Sequence, residues 1–136
     1  MDKVPYIFNF PSYGDNAEGF LFVAETFLSC PFVIKRTFWT SAMPNNITRG
    51  RHAHYNTEMI LIAVTGLINV STINCMGETH EFLLSNPGQA LFLPRLCWHE
   101  MTYDSNSIQL VLASTNYDET DYIRDKQDFL KMVNGV

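Results

Sequence analysis

Histidine is scarce in this chain, four residues in 136, and two of the four stand in "RHAHYNTE" as His52 and His54, with Glu58 four positions further on. A third, His99, closes "LPRLCWH". Imidazole titrates near neutrality and also ligates metals, so such a cluster has two chemical uses. In an extended strand the side chains alternate. His52, His54 and Glu58 then share one face, while Arg51, Ala53 and Tyr55 take the other. With His99, that face offers a nitrogen and oxygen donor set suited to Fe, Mn, Ni or Zn. The same imidazoles can instead act as a general acid and base. A merely solvated polar strand is the bland alternative. The gathering of three of four histidines into two short segments weighs against it.

Elements able to position these residues are short and β-rich. "GFLFVAETF" (19–27), "FVIKRTFWT" (32–40), "EMILIAV" (58–64), "LINVSTI" (67–73), "HEFLLS" (80–85), "ALFL" (90–93) and "IQLVLAS" (108–114) are separated by turn-forming pieces such as "AMPNN" and "SNPGQ". Many short strands at this spacing predict a sandwich or closed barrel. One domain is expected over 1–136, with a barrel over about 15–115. "DYIRDKQDFLKMV" (121–133) has helical periodicity and predicts a C-terminal amphipathic helix capped by Thr120 or Asp121. Composition excludes several function classes. A net charge of −5 opposes general nucleic-acid binding. No apolar run is long enough to span a membrane and the start shows no secretory pattern. Cys30, Cys75 and Cys97, odd in number and without CxxC spacing, read as reduced thiols of a cytoplasmic protein.

HxHxxxE followed by G-x5-P-x4-H (His52 to Glu58, then Gly88 to His99) resembles the two-part signature of the cupin barrel. The flanks resemble something narrower. "PFVIKRTFW", "RGRHAH", "VTG", "LFLPRLCWHEM", "LVLAS" and "YDETDYIRDKQDFL", in that order over about 15–130, are similar to the dTDP-4-keto-6-deoxyhexose 3,4-ketoisomerases. This likeness implies a mainly β, RmlC-like jelly-roll barrel with a C-terminal helix, paired as a homodimer and using no metal or other cofactor. It implies a reaction in which a 4-ketone moves to C3 through an enediol, in deoxy(amino)sugar and polysaccharide biosynthesis. His52 and His54 would carry the two proton transfers. The substrate-binding set would be Arg49, Arg36, His99 and Tyr117. A guanidinium can grip a diphosphate through paired hydrogen bonds, which suits both arginines; for Arg36 a rim salt bridge is an equal expectation. His99 is expected to face the sugar from the opposite wall. Trp98 is expected either on the thymine ring or in the core, and Tyr117 as an anchor for the helix.

The chain departs from the family's usual pattern in three places. Glu18 stands at an arginine position, Thr40 or Ser41 where a tyrosine is usual, and Met59 where a glutamine is usual. Two other readings follow from the residues: a metal-dependent cupin enzyme using His52, His54, Glu58 and His99, or a non-catalytic sugar-binding cupin. The N-terminal "VPYIFNF" (4–10) is apolar enough to pair with a second copy.

Overall fold

The computed structural model describes residues 3–133. Two five-stranded antiparallel sheets face one another. The first has the order β1 (Tyr6–Asn9), β9 (Gln89–Leu93), β6 (Met59–Thr65), β11 (Ile108–Ala113), β4 (Arg36–Trp39). The second has the order β12 (Tyr122–Ile123), β5 (Ile47–His54), β10 (Trp98–Tyr103), β7 (Ile68–Ile73), β8 (Thr79–Leu84). A separate hairpin, β2 (Ser12–Asp15) with β3 (Gly19–Phe22), lies outside both sheets. Neighbours in each sheet are rarely neighbours in sequence, as in a jelly roll.

Alternation explains the layers. From β6, Met59, Leu61 and Ala63 point between the sheets and join Val70, Leu91, Met101, Tyr103 and Val111 in the central core. Ile60 and Ile62 point the other way, under Phe10, Cys30 and Phe32. A strand covered on both faces reads as a continuous apolar run, which is why "MILIAV" shows no alternation. β10 divides similarly, with Met101 and Tyr103 inward and Trp98 outward.

The C-terminal segment differs from its sequence expectation. The helix α1 spans Lys126–Val133, five residues shorter at its start than its periodicity suggested. Its cap is Asp125, whose Oδ1 accepts the Asp128 N–H at 3.0 Å. Before it come a 3-10 turn, Glu119–Asp121, and the two-residue strand β12, which pairs Tyr122 with His54 and Ile123 with Ala53. Hydrogen bonding to β5 outweighs local helix propensity here. Phe129, fully buried, fastens α1 over Trp98, Ala53 and Ile123 on the outer face of the second sheet. Trp98 is thereby a core residue. Its ring packs 5.9 Å from Phe129, and its Nε1 donates to Glu100 Oε2 at 2.9 Å. β1 pairs with β9 of its own chain, so only its outer edge is open to a neighbour. Among the described residues no helix is long and apolar enough to cross a membrane.

Candidate active site

β5 places the histidines, and a bulge in it decides what joins them. Against β10, His52 opposes His99, Gly50 opposes Glu100 and Arg49 opposes Met101, so Arg51 is an extra residue. Gly50 (φ 87°) and Arg51 (φ 59°) both adopt left-handed backbone to form it. A Cβ on Gly50 would sit 2.9 Å from the His99 carbonyl oxygen, so this position needs glycine. Strict alternation would send Arg49 and His52 to opposite faces. The bulge absorbs one residue and turns both toward the space between the sheets.

That space is a cavity of about 330 Å³, opening between β4 and the β5–β12 edge. His52 and His99 form part of one wall, as cross-strand neighbours with ring centroids 4.5 Å apart. The expected opposite-wall position for His99 therefore gives way to adjacency on one sheet. Met59, Leu61, Met101 and Val111 give the interior an apolar lining. Arg49, Arg124, Tyr122, Phe38 and Trp39 ring the mouth. At another part of the lining, the Tyr103 hydroxyl donates to Gln109 Oε1. Burial pushes the Tyr103 phenol up to about 12, against the influence of the Arg49 guanidinium.

His54 is not in the cavity wall. It is 2% exposed and lies behind His52, their rings edge to face at 5.0 Å. Its Nδ1–H donates to Asp121 Oδ2 at 3.1 Å. Asp121 also accepts the Thr57 hydroxyl on Oδ2 and the Asn56 N–H, at 2.7 Å, on Oδ1. Burial favours a neutral Asp121 carboxyl, but these hydrogen bonds outweigh it and hold its pKa below the ordinary value. All three imidazoles are pushed toward neutrality. Burial, aided by the neighbouring His54, lowers His52 to about 4. Burial lowers His54 too, opposed by Asp121. His99 is lowered well below its ordinary value, by burial and by His52, and its Nδ1–H donates to the Cys97 carbonyl at 3.1 Å. The site at rest is a set of neutral imidazoles, fit to accept protons.

The remaining candidates divide. Arg49 reaches the cavity. Arg36 lies beside the mouth, its guanidinium 5.3 Å from the Phe38 ring and 5.6 Å from that of Tyr117, with Nη1 donating to the Tyr122 hydroxyl at 3.5 Å. Tyr117 is exposed and donates to Glu119 Oε2 at 2.7 Å. Glu58 does not join the histidines. Its backbone pairs with Ser114 and its carboxylate acts on the Cys30 thiol, which packs on the outer side of the first sheet. The four-ligand cage therefore does not fit: Glu58 is turned away and His54 Nδ1 is committed to Asp121. Among the described residues no three histidine, cysteine or carboxylate side chains converge as metal ligands. Of the departures from the family pattern, Thr40 and Met59 line the cavity, whereas Glu18 sits exposed in the β2–β3 turn.

Sequence reasoning missed Asp121, Tyr122 and Arg124, because it assigned them to a helix. The Tyr122 ring lies 4.3 Å from that of His54 and 5.0 Å from that of His52, and Arg124 stacks 4.3 Å over Tyr122. Asp125 followed three residues later by Asp128 was the available signal for a later helix start.

Comparison with known proteins agrees with this geometry. The family model described as FdtA, WxcM-like, C-terminal, matches residues 3–134. The chain is 34% identical over 131 residues to the TDP-4-oxo-6-deoxy-alpha-D-glucose-3,4-oxoisomerase of Aneurinibacillus thermoaerophilus, covering 96% of this chain and 93% of that one. A 3,4-ketoisomerase from Helicobacter canadensis superposes with a TM-score of 0.88 at 35% identity, over 96% of this chain and 97% of its own. The sugar 3,4-ketoisomerase QdtA of Thermoanaerobacterium thermosaccharolyticum, solved in complex with TDP, gives 0.89 at 30% identity, over 96% and 95%. With its jelly-roll cupin barrel and histidine-walled cavity, the chain belongs to the FdtA family of WxcM-like sugar ketoisomerases.

Proposed function

We propose that this protein is a sugar-nucleotide 3,4-ketoisomerase that converts a dTDP-4-keto-6-deoxyhexose to its 3-keto isomer. The observation that carries the reading is the wall of neutral imidazoles in a cavity rimmed by guanidinium groups. A proton α to a carbonyl is only weakly acidic, so its removal needs a neutral base held close, with the enediol shielded from bulk water. His52 is the group we assign to the substrate carbon, as it stands in the wall with His99 beside it. The base takes the C3 proton and the electron pair moves to the C4 oxygen to give the enediolate. The O3 hydroxyl proton then passes to the C4 oxygen, and a proton delivered to C4 leaves the ketone at C3. Arg49 and Arg124 at the mouth suit the diphosphate, whose two negative charges match paired N–H donors. The aromatic rings of Phe38 and Trp39, on the other lip, suit the thymine.

We assign no metal to the reaction, on the donor geometry above, and a homodimer as the working form. The dimer reading is supported by the open edge of β1 and by two apolar residues that share a surface pocket with it, Phe27 and Leu28, each more than half exposed. Three free cysteines suit a reducing, cytoplasmic setting.

The deciding experiment is proton NMR of dTDP-4-keto-6-deoxyglucose incubated with the protein in heavy water. Deuterium is expected at C4 of a 3-keto product. Folded protein giving neither product nor exchange, with several 4-keto sugars, would overturn the reading in favour of a sugar-binding relative. About one metal per chain, lost together with activity on chelation, would overturn the metal-free assignment.

A further inference from the structure

The histidine pair that is adjacent in sequence is not equivalent in space. His52 stands in the cavity wall, whereas His54 stands behind it, 2% exposed. Behind His54 runs a chain of hydrogen bonds. Its Nδ1–H donates to Asp121 Oδ2 at 3.1 Å, the Thr57 hydroxyl donates to the same oxygen, and Thr57 Oγ1 lies 2.6 Å from Thr115 Oγ1. The other Asp121 oxygen is fixed by the Asn56 N–H. Both oxygens of that carboxylate are thus met by donors, three in all, which fix its rotamer and the ring it holds.

We propose that Asp121 and His54 form a buried positioning unit for His52, in which the carboxylate fixes His54 as its Nδ1–H tautomer and steadies the positive charge that His52 gains during turnover. The inference rests on the ketoisomerase reading for its catalytic part. Three features carry it. A hydrogen-bonded carboxylate beside a neutral buried imidazole leaves the other ring nitrogen, Nε2, without a proton, and that nitrogen is buried with no protein partner. The His54 ring meets His52 edge to face at 5.0 Å, and Tyr122 packs against both, so His52 is held in place by two rings. Finally, the charge is needed. When His52 takes the substrate proton, the C–H bond breaks, an N–H bond forms and the imidazole becomes a cation in an apolar cavity. Arg124 disfavours that cation on His52 and Glu119 from solvent favours it, while behind it Arg36 and Arg124 disfavour charge on His54 and Asp121 favours it. No proton passes to Asp121, so the unit acts by orientation and field, as a positioning group does behind a catalytic histidine.

Nitrogen-15 NMR of the imidazoles in the resting wild-type protein reads the tautomer directly, without turnover. His54 is expected as Nδ1–H, and an Nε2–H signal would overturn the proposal whether or not the enzyme turns over. Asp121→Asn keeps the size of the side chain but presents an amide N–H₂ to a site built of donors. Its kcat is expected to fall by about 100-fold with KM changed less than about 2-fold, and the acid limb of the pH–rate profile should move to lower pH. TDP binding by calorimetry should be unchanged. A folded Asp121→Asn protein with turnover within about 2-fold of wild type would reject the unit. Thr57→Val, which removes one donor and the link to Thr115, should lower kcat by roughly 3- to 10-fold. This milder variant serves if Asp121→Asn does not fold, and unchanged turnover in it would likewise count against the proposal. Loss of wild-type turnover with the Nδ1–H tautomer present would instead reject the ketoisomerase reading and keep the structural half of the unit.

Discussion

Two carboxylates, two residues apart, each hold a nitrogen partner, and they could hardly be used more differently. Glu119 grips Arg124 with contacts of 2.6 and 2.9 Å, and both side chains are more than half exposed. Asp121 meets His54 at 3.1 Å, with the two side chains 8% and 2% exposed. By distance alone the Glu119 pair is the closer. Water and salt screen it, and its long side chains lose entropy in pairing, so it contributes little to stability. The Asp121 contact is longer but lies where an unmet polar group has no water to turn to. Burial sets what an interaction is worth, and the shorter contact is the weaker one. The difference also sorts the roles proposed above: the exposed Glu119 pair leaves Arg124 free to turn to a diphosphate in the proposed reaction, whereas Asp121 is held in place on both oxygens.

The largest effect expected from this contrast is that of Asp121→Ala. It strips the acceptor from His54, Thr57 and the Asn56 N–H together, and should cost about 3 kcal/mol in a urea titration. A loss under about 1 kcal/mol would mean that the buried pair is no better than a surface one. Gly50→Ala comes next, since it strains the bulge that aims Arg49 and His52; about 2 kcal/mol is expected by the same measurement, together with a raised KM for the sugar nucleotide.

Acid should expose the buried side first. Above pH 6.5 the imidazoles are neutral in both the folded and unfolded chain. Below it the unfolded chain binds protons that the folded chain refuses, because burial holds His52 at about 4 and lowers His54 and His99. Stability should therefore decline as pH falls from 6.5 toward 4. Asp121, with its pKa depressed, adds stability that is present above 3.8 and lost as pH falls through its folded value. Glu119 is also lowered, to about 2, by Arg124 and Tyr117, but it is exposed, and solvent screening keeps its share of the stability small. A Tm at pH 5 roughly 5 °C below that at pH 8 is expected. A flat Tm down to pH 4 would contradict the burial of the histidines. Least of all should Glu119→Gln matter: its Tm should match that of wild type, in low salt and at about 0.5 M NaCl alike.

Much of the architecture was legible in the chain. Short β runs with turn residues between them define the barrel strands, and HAH with a distant WH segment defines which strands carry the chemistry. Where reading failed, two kinds of local signal conflicted with distant ones. "DYIRDKQDF" is periodic enough for a helix, yet Tyr122 and Ile123 are strand residues, because β5 offers hydrogen bonds that a longer helix would leave unmade. Glu58 follows His54 by an even number of residues, but the irregular backbone of 55–58 breaks the alternation before β6 begins.

What the sequence determined by itself was the inventory: a β barrel, three histidines brought to one region, an arginine beside them, and the family likeness that the comparisons bear out. Side-chain type and hydrophobic period are local properties, and they survive being read in one dimension. Tertiary structure alone decided how the inventory was deployed. A bulge at Gly50 and Arg51 set Arg49 and His52 on one face. Cross-strand register set His99 beside His52. The docking of β12 on β5 placed Asp121 behind His54, 67 residues away in sequence, and so separated the histidine that faces the cavity from the one that stands behind it. Each of these depends on which backbone groups find partners across the fold, a competition that spacing along the chain does not record.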